Sequence, residues 1–234
     1  MKQHRTWMAS GHTFYGFEDR VGDRCVVFFH GFTGHMAESG RLFYHLSKQF
    51  ASKGLSTLRF DWFGHGESDL EFSEARVPLL LEQAEVVLSY ALKQYRHVYL
   101  LGFSMGGALA MQASRNDVAK LILMAPAYRI GGMKQHYFEG REEPTRDLGG
   151  IVLHKDFPDG FLALDMVETV KQYDNPILIV QGENDEAVPK GLAEHLHKQL
   201  SHSELMVIPQ ADHCFHNRQM HDEIGKRILL FLNT

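Results

Sequence analysis

One stretch of this sequence decides its fold, and it runs Val98-Tyr99-Leu100-Leu101-Gly102-Phe103-Ser104-Met105-Gly106-Gly107. An apolar run typical of a buried strand opens it, and good helix formers follow at residues 108–113. A serine at a strand-to-helix turn, with glycine two residues before and two after it, is the pattern of a nucleophile elbow. The turn is tight, so side chains at the glycine positions would collide with neighbouring backbone. We therefore predict that Ser104 is a nucleophile; the alternative is that it only caps the helix.

Length and composition limit the class of protein. At 234 residues the chain suits one domain, or one domain with a modest insertion. Its net charge of −5 and the lack of a basic run disfavour a nucleic-acid partner. No uninterrupted apolar stretch is long enough to span a membrane, and no signal-peptide core follows the basic residues at the N-terminus. We therefore expect a cytoplasmic protein without a membrane span; the sequence does not indicate its oligomeric state.

Cysteine and histidine are the residues most often used to hold metals. Cys25 and Cys214 lack the C-x-x-C spacing of metal and redox sites, so we expect free thiols. The chain has 15 histidines but no H-E-x-x-H pattern. His195 and His197 lie two residues apart on a predicted helix and point to different faces. We therefore expect no metal site and no cofactor.

Predicted strands alternate with predicted helices along the chain. The first strand is expected at residues 13–17, on the edge of the sheet. Further strands are expected at residues 25–29, 56–60, 98–101, 119–124, 176–180 and 204–208. The run at 25–29 is apolar throughout, as in a strand buried on both faces of a parallel sheet. The alternation predicts an α/β fold with a mostly parallel sheet and helices on both of its faces.

One segment interrupts this alternation, because the spacing between Met124 and Pro176 is too long for a single crossover helix. We predict a core formed by residues 1–126 and 175–234, and a small cap formed by residues 127–174. Within the cap, Phe157-Pro158-Asp159-Gly160 is expected to be the turn of a β-hairpin, although a helix could begin near Phe161. The candidate substrate-binding side chains of the cap are Ile151, Leu153, Phe157, Phe161 and Leu164, with Leu162, Met133, Tyr137 and Phe138 beside them.

A serine nucleophile needs a base, and the base needs an acceptor that orients it. Two further loops follow predicted strands and therefore lie at the same edge of the sheet as Ser104. The loop after residues 204–208 contains His213, which we predict to be the base, with His216 as its rival. The loop after residues 176–180 contains Asp185, the favoured acid. Other candidates for the acid are Glu183, Glu186 and Asp212.

The order Ser104, Asp185, His213 is the chain order of the α/β-hydrolase triad. Nearly the whole chain resembles a serine α/β-hydrolase. His30-Gly31-Phe32 is similar to that family's oxyanion loop, Gly64-His65-Gly66-Glu67-Ser68 to its G-x-G-x-S turn, and residues 182–189 to its acid loop. Within that family, residues 30–34, the strand end Arg59-Phe60-Asp61 and the hairpin-like insertion resemble those of small bacterial carboxylesterases, including cinnamoyl (feruloyl) esterases.

This resemblance implies an oxyanion hole formed by the backbone N–H groups of Phe32 and Met105. We expect His30 and Asp61 to shape their loops and not to take part in the reaction. The implied activity is that of a serine carboxylesterase that hydrolyses small-molecule esters with a short acyl chain or an aryl group, cinnamoyl and feruloyl groups among them, through an acyl-enzyme. Alternatives with the same triad are a monoacylglycerol lipase, an acyl-thioesterase, an aminopeptidase and a C–C bond hydrolase. A further alternative is a ligand-binding protein of this fold without catalysis.

Overall fold

The computed structural model describes residues 2–130 and 132–233, so Met1, Gly131 and Thr234 lie outside the described residues. Within these ranges, eight strands form one sheet in the order β1-β2-β4-β3-β5-β6-β9-β10. Its strands are β1 (Lys2–Ala9), β2 (His12–Asp19), β3 (Arg24–Phe29), β4 (Leu55–Phe60), β5 (His97–Phe103), β6 (Lys120–Met124), β9 (Ile177–Gly182) and β10 (Ser203–Ile208). In the insertion, β7 (Thr145–Asp147) pairs with β8 (Val152–His154).

The sheet is parallel from β4 to β10 and antiparallel only at its first edge. There β1 pairs with β2, and β2 pairs with β4. Every residue of β4 and β9 is buried, which is why these strands lack the alternation of a one-sided sheet. Strands β3, β4, β5, β6, β9 and β10 therefore present their carboxyl ends at one edge of the sheet, where ligands bind in open α/β folds.

Helices cover both faces of the sheet. They are α1 (Leu42–Ala51), α2 (Val77–Gln94), α3 (Met105–Gln112), α4 (Met133–Phe138), α5 (Phe157–Leu162), α6 (Met166–Lys171), α7 (Lys190–Gln199) and α8 (Arg218–Asn233). One apolar core includes Leu80 of α2 and Leu109 of α3, and the other includes Leu46 of α1 and Ile228 of α8. Two separate cores on opposite faces confirm the predicted α/β class with helices on both sides. None of the helices in the described ranges is long and apolar enough to cross a membrane.

The first edge of the sheet differs from the prediction. Residues 13–17 do form a strand, β2, but β1 covers it, so β2 is not the edge. Every second residue of β1 is exposed, as expected for an edge strand with one face in solvent. Trp7 of β1 stacks on Phe14 of β2 at a ring-centroid distance of 5.5 Å. The polar, basic sequence of β1 concealed this strand because only one of its faces is buried.

The insertion contains a hairpin, but its turn lies earlier than predicted. Gly149 and Gly150, with φ values of 92° and 100°, form the turn between β7 and β8, and the Asp147 carboxylate accepts both of their N–H groups. Residues 157–160, predicted to be the hairpin turn, instead begin α5, with Pro158 in its first turn. Proline fits there because the first helical N–H groups have no intrahelical acceptor. The predicted hairpin turn was therefore wrong.

The end of the insertion packs as part of the core. Helix α6 lies against α3, and its Val170 is completely buried. The Tyr173 hydroxyl donates a hydrogen bond of 3.0 Å to the Val118 carbonyl. The division into core and cap stays a prediction, but this packing narrows the cap to the part of the insertion that precedes Met166.

Candidate active site

Ser104 lies at the predicted strand-to-helix turn, between β5 and α3. Its backbone has φ 53° and ψ −118°, a conformation that L-residues rarely adopt. Three backbone hydrogen bonds hold it there: the Ser104 N–H donates to the Met124 carbonyl at 2.9 Å, and its own carbonyl accepts from Ala108 and Ala127. Strain held in place by the surrounding hydrogen bonds is common at functional sites.

Two glycines allow this turn to form. A Cβ at Gly102 would lie 2.3 Å from the Gly106 carbonyl oxygen. A Cβ at Gly106 would lie 2.1 Å from the Phe29 carbonyl oxygen. Both distances are far below van der Waals contact, and the obstacles are backbone atoms, which cannot rotate away. The G-x-S-x-G spacing is therefore a packing requirement between β3, β5 and α3.

The structure brings Ser104, His213 and Asp185 together in one hydrogen-bond chain. The Ser104 hydroxyl donates to His213 Nε2 at 3.0 Å, and His213 Nδ1–H donates to Asp185 Oδ2 at 2.8 Å. The Ser104 residue is 9% exposed, and the Asp185 side chain is fully buried. Phe103 packs against the His213 ring at a centroid distance of 5.0 Å. A base placed between a hydroxyl and a carboxylate can accept the hydroxyl proton while keeping its ring orientation.

Asp185 is itself held by groups on its own loop. Its Oδ1 accepts the Val188 N–H at 2.7 Å, and its Oδ2 accepts from Gln181 Nε2 at 2.9 Å. Gln181 also donates to the Val188 carbonyl, so it holds the acid loop at both Asp185 and Val188. The sequence interpretation missed Gln181. Its position as the fifth residue of β9, four residues before the acid, was the available signal.

The rival acids and the rival histidine bond elsewhere. Asp212 accepts from His216 at 2.7 Å, so this pair satisfies itself beside the site. Glu183 accepts the Gln210 N–H at 3.0 Å, and Glu186 is exposed. Asp212 is adjacent to His213 in sequence but bonds to His216 and not to the His213 ring, as expected from its position.

The predicted oxyanion loop follows β3 and approaches Ser104 closely. A Cβ at Gly31 would lie 3.4 Å from Ser104 Cβ. Within the described chain, the Phe32 N–H has no backbone or side-chain acceptor. The Met105 N–H opens α3, where the first N–H groups have no intrahelical acceptor and the helix dipole favours negative charge. Both N–H groups named as oxyanion donors are therefore available to an oxygen beside Ser104.

His30 holds this loop from inside the protein. Its Nε2 accepts the Trp62 N–H at 3.1 Å, so the proton is on Nδ1, which donates to the Gly31 carbonyl at 2.9 Å. Burial, with nearby His65 adding to it, holds the pKa of His30 well below its ordinary value, so the ring is neutral. A fully buried neutral ring with both nitrogens engaged shapes the loop, in agreement with the sequence interpretation.

Asp61 and Arg59 hold the later part of the same loop, because both bond to the backbone of Met36. Asp61 Oδ1 accepts the Met36 N–H at 2.6 Å, and Arg59 Nη1 donates to the Met36 carbonyl at 3.2 Å. Burial raises the pKa of Asp61 above its ordinary value. A Cβ at Gly66 would lie 2.1 Å from Asp61 Oδ2, so the G-x-G-x-S turn packs directly on this carboxylate.

A cavity of about 300 Å³ adjoins the oxyanion loop and the cap. Its lining includes Phe32, Met105 and, from the cap, Met133, Tyr137 and Phe157. Its polar contributors include the side chains of Arg129 and His136. The cavity is thus a mostly apolar recess that begins at Phe32 and Met105, the predicted oxyanion donors.

Four of the five candidate substrate-binding residues do not line this cavity, and Phe157 is the exception. Leu153 and Phe161 are fully buried and belong to the same apolar core as Leu80 of α2 and Leu109 of α3. Ile151 lies half-buried after the hairpin turn, and Leu164 lines a separate surface groove beyond α5. The expectation for these residues assumed a hairpin turn at residues 157–160, where the structure instead begins α5. Their part in substrate binding stays a prediction.

Metal-ligating side chains do not cluster here. In residues 2–130 and 132–233, no group of three or more His, Cys, Asp or Glu side chains has an arrangement that could hold a metal ion. Cys25 is buried and Cys214 is half-buried, and neither forms a disulfide.

The sheet order and the three loops at the carboxyl ends of β5, β9 and β10 define an α/β-hydrolase. The chain belongs to the α/β-hydrolase family described as serine aminopeptidase, S33, whose profile matches residues 22–142. A second profile, described as TAP-like protein, matches residues 163–234.

Individual relatives agree with this assignment. A putative esterase/lipase 2 of Mycoplasma pneumoniae is 26% identical over 227 residues, covering 82% of this chain and 81% of the relative. Est1E from Butyrivibrio proteoclasticus, with ferulic acid bound, is 25% identical with a TM-score of 0.87, covering 98% of this chain and all of that one. Mouse alpha/beta hydrolase domain-containing protein 10 has a TM-score of 0.84 at 18% identity, covering 99% and 98%. The resemblance to α/β-hydrolases, including the bacterial enzymes, is confirmed.

Proposed function

We propose that this chain is a serine carboxylesterase that hydrolyses esters with a short acyl chain or a single aromatic ring. The observation that carries the proposal is the hydrogen-bond chain from Ser104 through His213 to Asp185, beside free N–H groups and an apolar cavity. Each part has a separate task in acyl transfer.

The reaction proceeds through an acyl-enzyme. Ser104 Oγ attacks the ester carbonyl carbon as its proton passes to His213 Nε2. The resulting oxyanion accepts hydrogen bonds from the Phe32 and Met105 N–H groups, and Asp185 stabilises the charged imidazole. The intermediate collapses as His213 returns the proton to the departing alcohol. Water then repeats the sequence on the acyl-enzyme and releases the acid.

The charge of the cavity favours an ester over a peptide N-terminus, although the family is described as serine aminopeptidase. An aminopeptidase must bind a protonated α-amino group, which calls for a carboxylate. Among the described residues that line the cavity there is no Asp or Glu, and Arg129 is its one permanently charged side chain. An ammonium group would therefore be repelled where an uncharged acyl or aryl group would be accepted.

The size of the cavity supports small substrates. About 300 Å³ is at the lower end of the range for small-molecule pockets. It suits one aromatic ring or a short chain better than the long chain of a monoacylglycerol. The ferulic acid bound to the structurally similar Est1E is an aromatic acid of this size class.

A substrate panel tests the proposal. It contains 4-nitrophenyl esters of rising chain length, methyl ferulate, a long-chain monoacylglycerol, an acyl-thioester and an aminoacyl anilide, with Ser104→Ala as control. We expect the highest kcat/KM for short or aryl esters, little activity on the anilide, and loss of all turnover in Ser104→Ala. A preference for the thioester or the monoacylglycerol would move the assignment to those classes. Absence of any turnover would favour a ligand-binding protein.

A further inference from the structure

The peptide units around Gly31 set the direction of the Phe32 N–H. The Gly31 carbonyl and the Phe32 N–H belong to one planar unit and point in opposite directions. His30 Nδ1–H and the Gly34 N–H both donate to the Gly31 carbonyl, at 2.9 and 3.1 Å. The preceding peptide unit contains the Gly31 N–H, and this N–H donates to Glu38 Oε2 at 2.7 Å. Gly31 is therefore restrained on both sides, and one of the restraints is a carboxylate.

The Glu38 side chain fills the inside of the oxyanion loop. It folds back over seven residues to reach Gly31, while its Oε1 accepts the Ser39 N–H at 2.8 Å. The residue is 3% exposed. A Cβ at Gly34 would lie 2.8 Å from Oε1, so the loop is wrapped around the carboxylate. Both oxygens of Glu38 are thus occupied by backbone donors.

The position of Glu38 is unfavourable in two respects. Its φ of 61° and ψ of 165° fall in a region that is essentially restricted to glycine. Its carboxylate is also buried, and burial raises its pKa, although the two backbone hydrogen bonds partly oppose this effect. Glycine would adopt this backbone conformation without either cost, but it would leave the Gly31 and Ser39 N–H groups without these acceptors. A residue that is costly in both ways, beside a nucleophile, indicates a functional constraint.

We infer that Glu38 is a positioning residue for the oxyanion hole. Its carboxylate orients the Gly31 peptide so that the Phe32 N–H faces the substrate carbonyl oxygen. This inference rests on the proposed function, because it assigns Glu38 to the oxyanion step of ester hydrolysis. It predicts that Glu38 affects the tetrahedral state more than the binding of the uncharged ester.

Two variants separate this task from a purely structural one. Glu38→Gln keeps the shape but replaces one acceptor oxygen by an N–H₂ group, which repels one of the two backbone donors. Glu38→Gly removes the carboxylate and relieves the backbone strain. We expect kcat to fall about 10- to 100-fold in both, at a nearly unchanged KM, which is less than the loss of a whole oxyanion donor. Relief of the backbone strain should offset the loss of the two hydrogen bonds, so Glu38→Gly should unfold at a temperature close to that of the unchanged protein.

The direct readout is affinity for a trifluoromethyl ketone, which binds as a tetrahedral oxyanion on serine. Its affinity should fall in proportion to kcat/KM in both variants. Glu223→Gln, on the exposed face of α8, and Ser10→Gly, another residue with positive φ, serve as controls and should keep full activity. Unchanged kcat and ketone affinity in both Glu38 variants, with turnover by the unchanged protein, would overturn the inference. A KM effect alone would also overturn it. Absence of turnover in the unchanged protein would instead contradict the proposed function.

Discussion

At the scale of single residues, Ser104 and His213 are proposed to act as one unit, because one hydrogen bond joins them. Ser104→Ala and His213→Ala should each lower kcat by at least about 10⁴-fold. The double variant should be scarcely slower than either single variant, because the second change removes a group that no longer has a partner. Steady-state kinetics on one ester measures all three. Losses that multiply would show that the two residues act independently.

A second prediction at the scale of single residues concerns His65 and the dependence of stability on pH. Burial lowers its pKa to about 4, so the folded ring stays neutral where the unfolded ring gains a proton. The unfolded state therefore binds more protons between about pH 6.5 and 4, and stability falls as pH decreases through that window. A pKa difference of this size between the folded and unfolded states lowers the free energy of unfolding by about 3 kcal/mol.

Urea unfolding at pH 7 and pH 4.5 measures this loss. His65→Asn can keep the hydrogen bond to the Phe63 carbonyl but cannot titrate, so its stability should depend less on pH. His30 is also buried and neutral, so part of the dependence should remain. His202→Asn, at an exposed position, is the control and should leave the slope unchanged. An equal slope in His65→Asn and the unchanged protein would contradict the assignment.

The sequence predicted some site residues and missed others for a physical reason. Ser104, Asp185 and His213 each follow a strand, so local patterns place them at one sheet edge. Glu38 and Gln181 act through hydrogen bonds to backbone groups of folded loops, and no local pattern marks such bonds. Glu38 was concealed further because its backbone conformation is one in which glycine, and not glutamate, is expected.

At the scale of elements, the elbow glycines should be irreplaceable. Gly102→Ala and Gly106→Ala would each place a Cβ within 2.3 Å of a backbone oxygen, so strand or helix must shift. We expect a loss of at least about 2–3 kcal/mol from this overpacking, or failure to fold. Gly191→Ala in α7 is the matched control: nothing lies within 4 Å of its added Cβ. It should be neutral or stabilising by up to about 1 kcal/mol. Equal effects at all three sites in thermal unfolding would contradict this packing.

Helix α5 of the cap is expected to set substrate size through Phe157. This ring lines the cavity and packs on Phe72 at a centroid distance of 4.7 Å. Phe157→Ala should lengthen the cavity and raise relative kcat/KM for longer acyl chains, at a stability cost of about 3–5 kcal/mol. Leu162→Ala, at 59% exposure on the same helix, is the control for selectivity. An unchanged chain-length profile in a folded Phe157→Ala variant would place selectivity elsewhere.

Elements with strong periodicity were predictable, and weak ones were not. Strand β3, buried on both faces, stands out as a continuous apolar run at residues 25–29, whereas β1 has one face in solvent and a polar sequence. The insertion was misassigned because Phe157-Pro158-Asp159-Gly160 has a composition typical of a turn. Proline is equally suited to the first turn of a helix, and the burial of Phe157 and Phe161 favours the helix here.

At the scale of the whole molecule, the strand order brings the loops of the candidate site together at one edge of the sheet. Strand β3 lies between β4 and β5, so the loop after β3 that carries Phe32 borders Ser104, the proposed nucleophile after β5. Strands β9 and β10 complete the sheet on the other side and bring Asp185 and His213, the proposed acid and base, to the same edge. Local periodicity predicts that these strands exist, but their order depends on crossovers between distant parts of the chain.

The central claim is that Ser104 carries the acyl group during ester hydrolysis. The most direct measurement mixes the protein with 4-nitrophenyl acetate, quenches in acid, and locates any acetyl group by mass spectrometry of intact protein and peptides. We predict one acetyl group on the peptide that contains Ser104, a matching burst of nitrophenol, and neither in Ser104→Ala. Hydrolysis that continues in Ser104→Ala, with no acetyl group at position 104 in the unchanged protein, would contradict the claim.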